Sequence, residues 1–335
     1  MVKLVVIWLL AIITQLPQEP VLNRYRITGF AQGTTYTISY YATGNTVTQN
    51  HIDLILNRID SSLSTYKTYS QISRFNAASS ELVVDSFFQT VVNKSIEVFH
   101  ATDGAFDITV LPLLQTWGLG TKKIHTIPDT AAINALLPCV GSGKIRLKEN
   151  MLYKARPCIQ IDVNGIAQGY SVDVLAELLE LHGIDNYLVE LGGEIRVKGR
   201  KQPSGEVMTI GIEAPSMSEF DNNPFKKTIR LPQGAITTSG NYRKFYDNGS
   251  KRITHLINPA TGFPIDNELI SVTVFAKDAI TADGFDNAFM VMGLQKSLTF
   301  LKNQNEMEAY FIYHKGNGSI ADTATQGFYK MIVTN

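Results

Sequence analysis

The chain is short of cysteine, has no excess of charge of either sign, and contains no apolar run long enough to cross a bilayer comfortably. Each shortage removes a class of explanation. Cys139 and Cys158 are its two cysteines, and their spacing matches neither a CxxC pair nor a metal knuckle, which argues against a structural zinc or iron–sulfur site. Two buried thiols are expected, with a single disulfide as the alternative. Thirty Lys and Arg balance thirty Asp and Glu, so no global field draws in nucleic acid or an anionic membrane surface. An anionic ligand then has to be held by a local arrangement of residues. GxGxxG, HExxH and GxSxG elements are absent as well. Gly141-Ser-Gly-Lys144 is followed by Ile145 where a phosphate loop carries Ser or Thr, so a hairpin approach is the better reading.

What is present suits a folded protein. With 335 residues and 44% hydrophobic composition, the chain can bury a sizeable core without staples. Lys3, the apolar run Leu4–Ile13 and the more polar Thr14–Gln18 have the layout of a signal sequence. Residues 1–20 are therefore expected to be a signal sequence or N-terminal anchor and residues 21–335 a single domain, exported to the periplasm or held on the inner membrane facing it. Membrane association is expected only through that N-terminus.

Period-two alternation marks a strand at Tyr36–Tyr40, and three-and-four spacing marks helices from Thr48 to Leu63 and from Asp85 to Phe99. A short helix is expected over 129–137, a hairpin over 144–153 and a helix over Gly169–Leu181. Strands are expected at 187–191, 194–197, 207–212, 228–231 and 270–275, with a hairpin about Asp247-Asn248-Gly249. Helices at 282–292 and 294–301 precede closing strands at 309–313 and 327–333, and Ser216–Pro224 reads as an exposed loop. Sheet and helix without regular alternation indicate an α+β fold, with mixed or antiparallel sheets packed against helices.

Four segments have compositions that folding alone explains poorly. In Thr102-Asp-Gly-Ala-Phe-Asp-Ile-Thr109, small residues beside two acids suit the close approach of a flat polar ligand, or a loop whose acids cap turns. Ile161-Asp-Val-Asn-Gly-Ile-Ala-Gln-Gly-Tyr170 reads as a strand ending in Asp162, a turn at Gly165 and a helix N-terminus, which suits a diphosphate or an ordinary strand-to-helix turn. His255-Leu-Ile-Asn-Pro-Ala-Thr-Gly-Phe-Pro264 sets an imidazole beside a rigid turn. Thr281-Ala-Asp-Gly-Phe-Asp-Asn287 puts Asp283 and Asn287 on one helical face, where their oxygens suit a hard cation unless Asp283 is simply the helix cap. A divalent ion there also answers how a neutral chain holds an anionic ligand.

In order along the chain, Gly33-Thr-Thr-Tyr36, Ser64–Tyr66, Ser70–Asn76, Thr102–Thr109, Trp117-Gly118, Ile161–Asp173, Leu191-Gly-Gly-Glu194, Thr237-Thr-Ser-Gly240, His255–Pro264 and Ala282–Gly293 resemble the FAD:protein FMN transferases, the ApbE-type flavin transferases. The resemblance implies a T-fold-like α+β architecture, FAD as flavin donor, Mg2+, and transfer of FMN through its phosphate to a threonine of an acceptor flavoprotein with release of AMP. By position it implies that Tyr66, Ala105, Phe106, Asp107, Asp162 and Gln168 line the FAD site. It implies the Gly165 carbonyl, Asp283 and Asn287 as metal ligands and His255 as the catalytic histidine. Ser70, Ser73 and Asn76 are expected to order the first loop.

The chain departs from the family pattern at Gln32, Gln168, Asn258 and Asn287, where methionine, lysine or glutamate, aspartate and threonine are common. Asn287 keeps an oxygen ligand, Gln168 removes a charge near the nucleotide, and Asn258 can leave His255 without a charged neighbour to orient it. Two other readings stay open: an FAD diphosphatase in which water replaces the acceptor hydroxyl, and a flavin-binding protein without turnover.

Overall fold

A computed structural model describes residues 21–119, 127–213, 225–241, 245–247, 252–254 and 256–333. The expected N-terminal segment, the Ser216–Pro224 loop, the Asn248-Gly249 turn and His255 lie outside these residues.

Eight strands lie side by side in the order in which the chain makes them: Asn23–Ala31, Thr34–Ala42, Tyr187–Leu191, Glu194–Lys198, Gln233–Gly240, Leu269–Ala276, Glu308–His314 and Ile320–Ala324. Every neighbouring pair is antiparallel. Among the described residues, every other element but the final helix Gln326–Met331 is an insertion between neighbours, and the longest, between the second and third strands, carries most of the candidate site residues.

Alternation along the strands gives the sheet two apolar faces. In Glu308–His314, Ala309 and Phe311 join the core formed with the helices, while Tyr310 and Ile312 join a second core with Phe328 and the hairpin Met208–Glu213/Phe225–Leu231. In Leu269–Ala276 an irregularity between Leu269 and Ser271 shifts the alternation, so that Leu269, Val272 and Val274 share a face. The helix side is built by Gln49–Leu63, Ser86–Ala101, Ala167–Leu181 and Ala279–Met292. Thr48, Asp85 and Asp129 are N-caps as expected, whereas the helix expected over 282–292 begins at Ala279 and is capped by Asp278.

Several expectations change. The closing strand at 327–333 is instead the helix Gln326–Met331, because Phe328 turns inward to stack on Tyr310 at 5.7 Å while its neighbours stay outside. Asn23–Ala31 and Gln233–Gly240 are strands that were not expected; the first is an exposed edge with Phe30 in solvent, and the second mixes Gly, Thr and Ser. Cys139 and Cys158 form a disulfide with Cα atoms 5.6 Å apart. The reason is the hairpin Ile145–Lys148/Met151–Lys154, which folds the chain back so that the residues flanking it meet.

Candidate functional site

The helix Ala279–Met292 is buried on almost every side, against the sheet and against the helix Ala167–Leu181. A helix so placed is normally apolar all round, yet this one carries Asp283, Asp286 and Asn287. Its cap is Asp278, whose side chain accepts from the Thr281 amide at 3.0 Å, so Asp283 is free of that duty. The two helices touch at Gly169, where any Cβ would overlap the Ala279 carbonyl and the Asp283 Cβ. That contact lets the Gly169 amide donate to Asp283 Oδ2 at 2.8 Å. The helix start at Ala167 that the sequence offered to a diphosphate therefore already holds a carboxylate. The segment leading into it is extended with a single bridge, Val110 to Gln160, where a full strand was expected.

Gly165, Asp283 and Asn287 come together. The Asn287 side-chain amide nitrogen lies 3.2 Å from the Gly165 carbonyl oxygen, 3.0 Å from the Asp283 carbonyl oxygen, 3.3 Å from Asp283 Oδ1 and 2.9 Å from Asp286 Oδ1. Four oxygens thus crowd a group with two hydrogens. Ser239 donates to Asn287 Oδ1 at 3.2 Å, and as a hydroxyl it suits either orientation of that amide. Turning the amide over would put a fifth oxygen among the four, an arrangement that only a cation makes favourable. Burial pushes the Asp283 carboxyl up to about 7, with the Gly169 bond opposing and the Asp173 charge adding. Asp286 is raised well above the usual range by burial and then by the charges of Asp283 and Glu194. Among the described residues no group of three or more His, Cys, Asp or Glu is arranged as a metal site, so the donor set here is mixed: carboxylate, amide and main-chain carbonyl. That set fits Mg2+, which takes few protein oxygens and leaves positions for phosphate and water.

The residues expected to line the FAD site are placed as follows. Asp107 is buried, and four donors fill its carboxylate: Oδ1 accepts from the Thr109 amide (2.8 Å), the Thr109 hydroxyl (2.6 Å) and the Ser142 hydroxyl (2.7 Å), and Oδ2 from the Ser142 amide (3.0 Å). It is a brace tying the 102–109 loop to the turn at Gly141-Ser142. Phe106 belongs to the core, and Ala105 beside it is half-buried after the left-handed pair Asp103 and Gly104. Asp162 is half-buried; its oxygens accept from the Asn164 amide (2.7 Å) and side chain (3.2 Å), and burial raises its carboxyl. Its own amide donates to the Ile108 carbonyl at 2.7 Å, which joins the two loops. Asn76 grips Ile161 at both main-chain groups (2.9 and 2.7 Å), and Ser70 caps the helix Gln71–Ala77 through the Ser73 amide, so these residues order the loops as expected. Tyr66 stands 69% exposed, with Tyr69 also exposed nearby. Gln168 is half-buried beside Gly192, where a Cβ would meet its side-chain amide. His255 lies outside the described residues; Asn258, three residues on, accepts from the Ala260 and Thr261 amides and shapes the following turn.

Sequence reasoning missed Asp286, Glu194, Thr237 and Ser239 as neighbours of this cluster. Glu194 accepts from the Thr238 amide at 3.3 Å, and the strand carrying Thr237 and Ser239 packs on the helix of Asp283. A signal was present: Asp286 follows Asp283 at helical spacing, and the others fall in the Leu191–Glu194 and Thr237–Gly240 motifs. A cleft of about 450 Å³ at the far end of the same helix, lined by Asn258, Asp266, Glu268 and Lys296, contains none of the expected site residues.

Comparison with known proteins places this geometry in context. The family model described as the ApbE family matches residues 32–311. The FAD:protein FMN transferase of Vibrio cholerae is 36% identical over 304 residues, covering 88% of this chain and 89% of its own length. That of Haemophilus influenzae is 34% identical over 321 residues, covering 92% and 91%. Among solved structures, the flavin transferase ApbE from Vibrio cholerae superposes with a TM-score of 0.83 at 34% identity, over 92% of this chain and 99% of that one. The apo flavinyl transferase ApbE of Pseudomonas stutzeri gives 0.83 at 32% identity, over 94% and 98%.

Proposed function

The chain belongs to the ApbE family, and on that premise we propose that it transfers FMN from FAD to a threonine hydroxyl of an acceptor flavoprotein, with Mg2+ held by Gly165, Asp283 and Asn287. The observation that carries the metal part is the crowding of oxygens around the Asn287 amide. When bound, the ion neutralises the diphosphate and the charge that grows on the departing AMP oxygen.

The chain's own residues supply the rest. The threonine oxygen attacks the FMN-side phosphorus, the bond from that phosphorus to the AMP oxygen breaks, and the hydroxyl proton passes to a base, for which His255 is the candidate. The Gly169 amide holds Asp283 so that its second oxygen stays directed at the cluster. Asp107 and Asn76 lock the two loops that present Ala105 and Asp162. Tyr66, exposed at a loop tip, offers a ring for stacking on the flavin or adenine.

Export to the periplasm, with residues 1–20 as signal or anchor, belongs to the same reading. It is supported by the apolar run at Leu4–Ile13 and by the Cys139–Cys158 disulfide, which persists in an oxidising compartment. Among the described residues no helix is long and apolar enough to cross a membrane.

The test is to incubate the full chain with FAD, MgCl2 and a threonine-bearing acceptor peptide and to weigh the peptide by mass spectrometry. Covalent FMN on threonine with matching AMP release is expected. Free FMN and AMP with an unlabelled peptide would replace the transferase reading with the diphosphatase.

A further inference from the structure

Asp286 is the residue of the cluster that folding explains least. It is 1% exposed, and its Oδ2 makes no well-formed hydrogen bond: the Thr237 hydroxyl on the strand packed against its helix interacts with the carboxyl, yet neither atom finds a partner of standard geometry. Leaving such atoms without a well-formed bond is unfavourable for the fold, and an alanine or asparagine here would avoid most of the penalty. Oδ1 meanwhile lies 2.9 Å from the Asn287 amide nitrogen, the same atom on which Gly165 O, Asp283 O and Asp283 Oδ1 converge.

We propose that Asp286 supplies a second carboxylate to the cation site, so that this chain holds its divalent ion between two acids, with Thr237 as a neighbouring hydroxyl. The proposal rests on the reading of Gly165, Asp283 and Asn287 as a cation site. A site with one carboxylate attracts a divalent ion weakly and relies on the phosphates of the substrate to complete it; a second carboxylate gives appreciable affinity before the nucleotide arrives. The unfavourable burial of Asp286 in the metal-free protein is then relieved by the ion, because what binds the folded state alone stabilises it.

The measurement needs no catalysis. Mn2+ is titrated into the metal-stripped full chain without FAD, followed by electron paramagnetic resonance of the free ion, for the unaltered protein, Asp286→Asn, Asp286→Ser and Asp283→Asn. Thermal unfolding of each is recorded with and without metal. Both Asp286 variants are expected to weaken Mn2+ binding by about tenfold or more. They are also expected to unfold at the same or a higher temperature than the unaltered protein when metal-free, and to gain less on adding metal. Equal Mn2+ affinity in either folded variant overturns the proposal and leaves the cation site intact. Absence of Mn2+ binding by the unaltered chain, at concentrations where Asp283→Asn also fails to bind, removes the cation site itself.

Discussion

Asp107 and Asp283 are both buried aspartates in motifs that the sequence marks as ligand-binding, yet the protein treats them in opposite ways. Around Asp107 donors match acceptors: two amides and two hydroxyls meet one carboxylate. Around Asp283, acceptors exceed donors: two carboxylates and two main-chain carbonyls crowd one amide NH2, and an Asp286 oxygen has only the Thr237 hydroxyl beside it, without a well-formed bond. A buried carboxylate whose oxygens are filled is part of the scaffold, since any ligand would have to displace bonds already made. One whose surroundings are short of positive charge is waiting for some. The difference lies in the partners, and residue type alone does not reveal it.

If that contrast is right, substitutions in the two regions separate activity from stability. Asp283→Ala has the largest expected effect: Mg2+-dependent FMN transfer falls by about a thousandfold, the scale of removing a main electrostatic stabiliser of a transition state. Steady-state assays over a magnesium series check it, and activity that survives with an unchanged magnesium requirement breaks the comparison at the Asp283 end. Asp107→Ala should act through folding, because it strands two buried amides and two hydroxyls; about 3–5 kcal/mol of unfolding free energy is expected to go. Urea titration measures it. The folded fraction that remains should keep a near-normal kcat, with any loss confined to FAD affinity through the loosened 102–109 loop, and an Asp107→Ala protein of normal stability but no FAD binding would move Asp107 into the ligand site.

The fold was largely legible where apolar spacing carried it. The helices at 49–63, 86–101 and 294–301 and the strands at 187–191 and 194–198 follow directly from periodicity. Gln326–Met331 was not legible, because its short run of aromatic and β-branched neighbours fits a strand until the Tyr310 ring gives Phe328 a place to stack. The disulfide was missed for a related reason: a gap of 19 residues says nothing until the intervening hairpin is recognised as the device that closes it. At the site, the sequence brought out Asp283 and Asn287 by their helical spacing and the Gly165 turn only through its motif. The helical spacing of Asp286 from Asp283 was a signal that went unread, since on an amphipathic helix a third polar residue reads as solvent-facing. Here the helix is buried on almost every side, and Asp286 falls among its fully buried residues.

Two smaller effects sharpen the contrast further. Reducing the Cys139–Cys158 bridge opens a loop that includes Gly141-Ser142, the donor side of the Asp107 brace. For a loop of this length about 3 kcal/mol is expected to be lost, read as a lower urea midpoint in reductant, with the affinity for Mn2+ at Asp283 unchanged. A bridge that tunes the cation site would instead shift both.

Asp162 lies between the two extremes and gives the finest test. Its oxygens are bonded only to Asn164, a local turn contact, and it is half-buried at the junction of the two loops. Local side-chain to main-chain bonds of this kind contribute little to global stability, so Asp162→Asn should change unfolding by less than about 1 kcal/mol. If Asp162 lines the FAD site as the proposed function has it, replacing its carboxylate by an amide removes one acceptor and one charge, and the KM for FAD should move by a few-fold while kcat stays nearly constant. If KM is unmoved and stability falls by as much as in Asp107→Ala, Asp162 joins the filled carboxylates. If kcat falls instead, it acts on the reacting phosphate and belongs with Asp283.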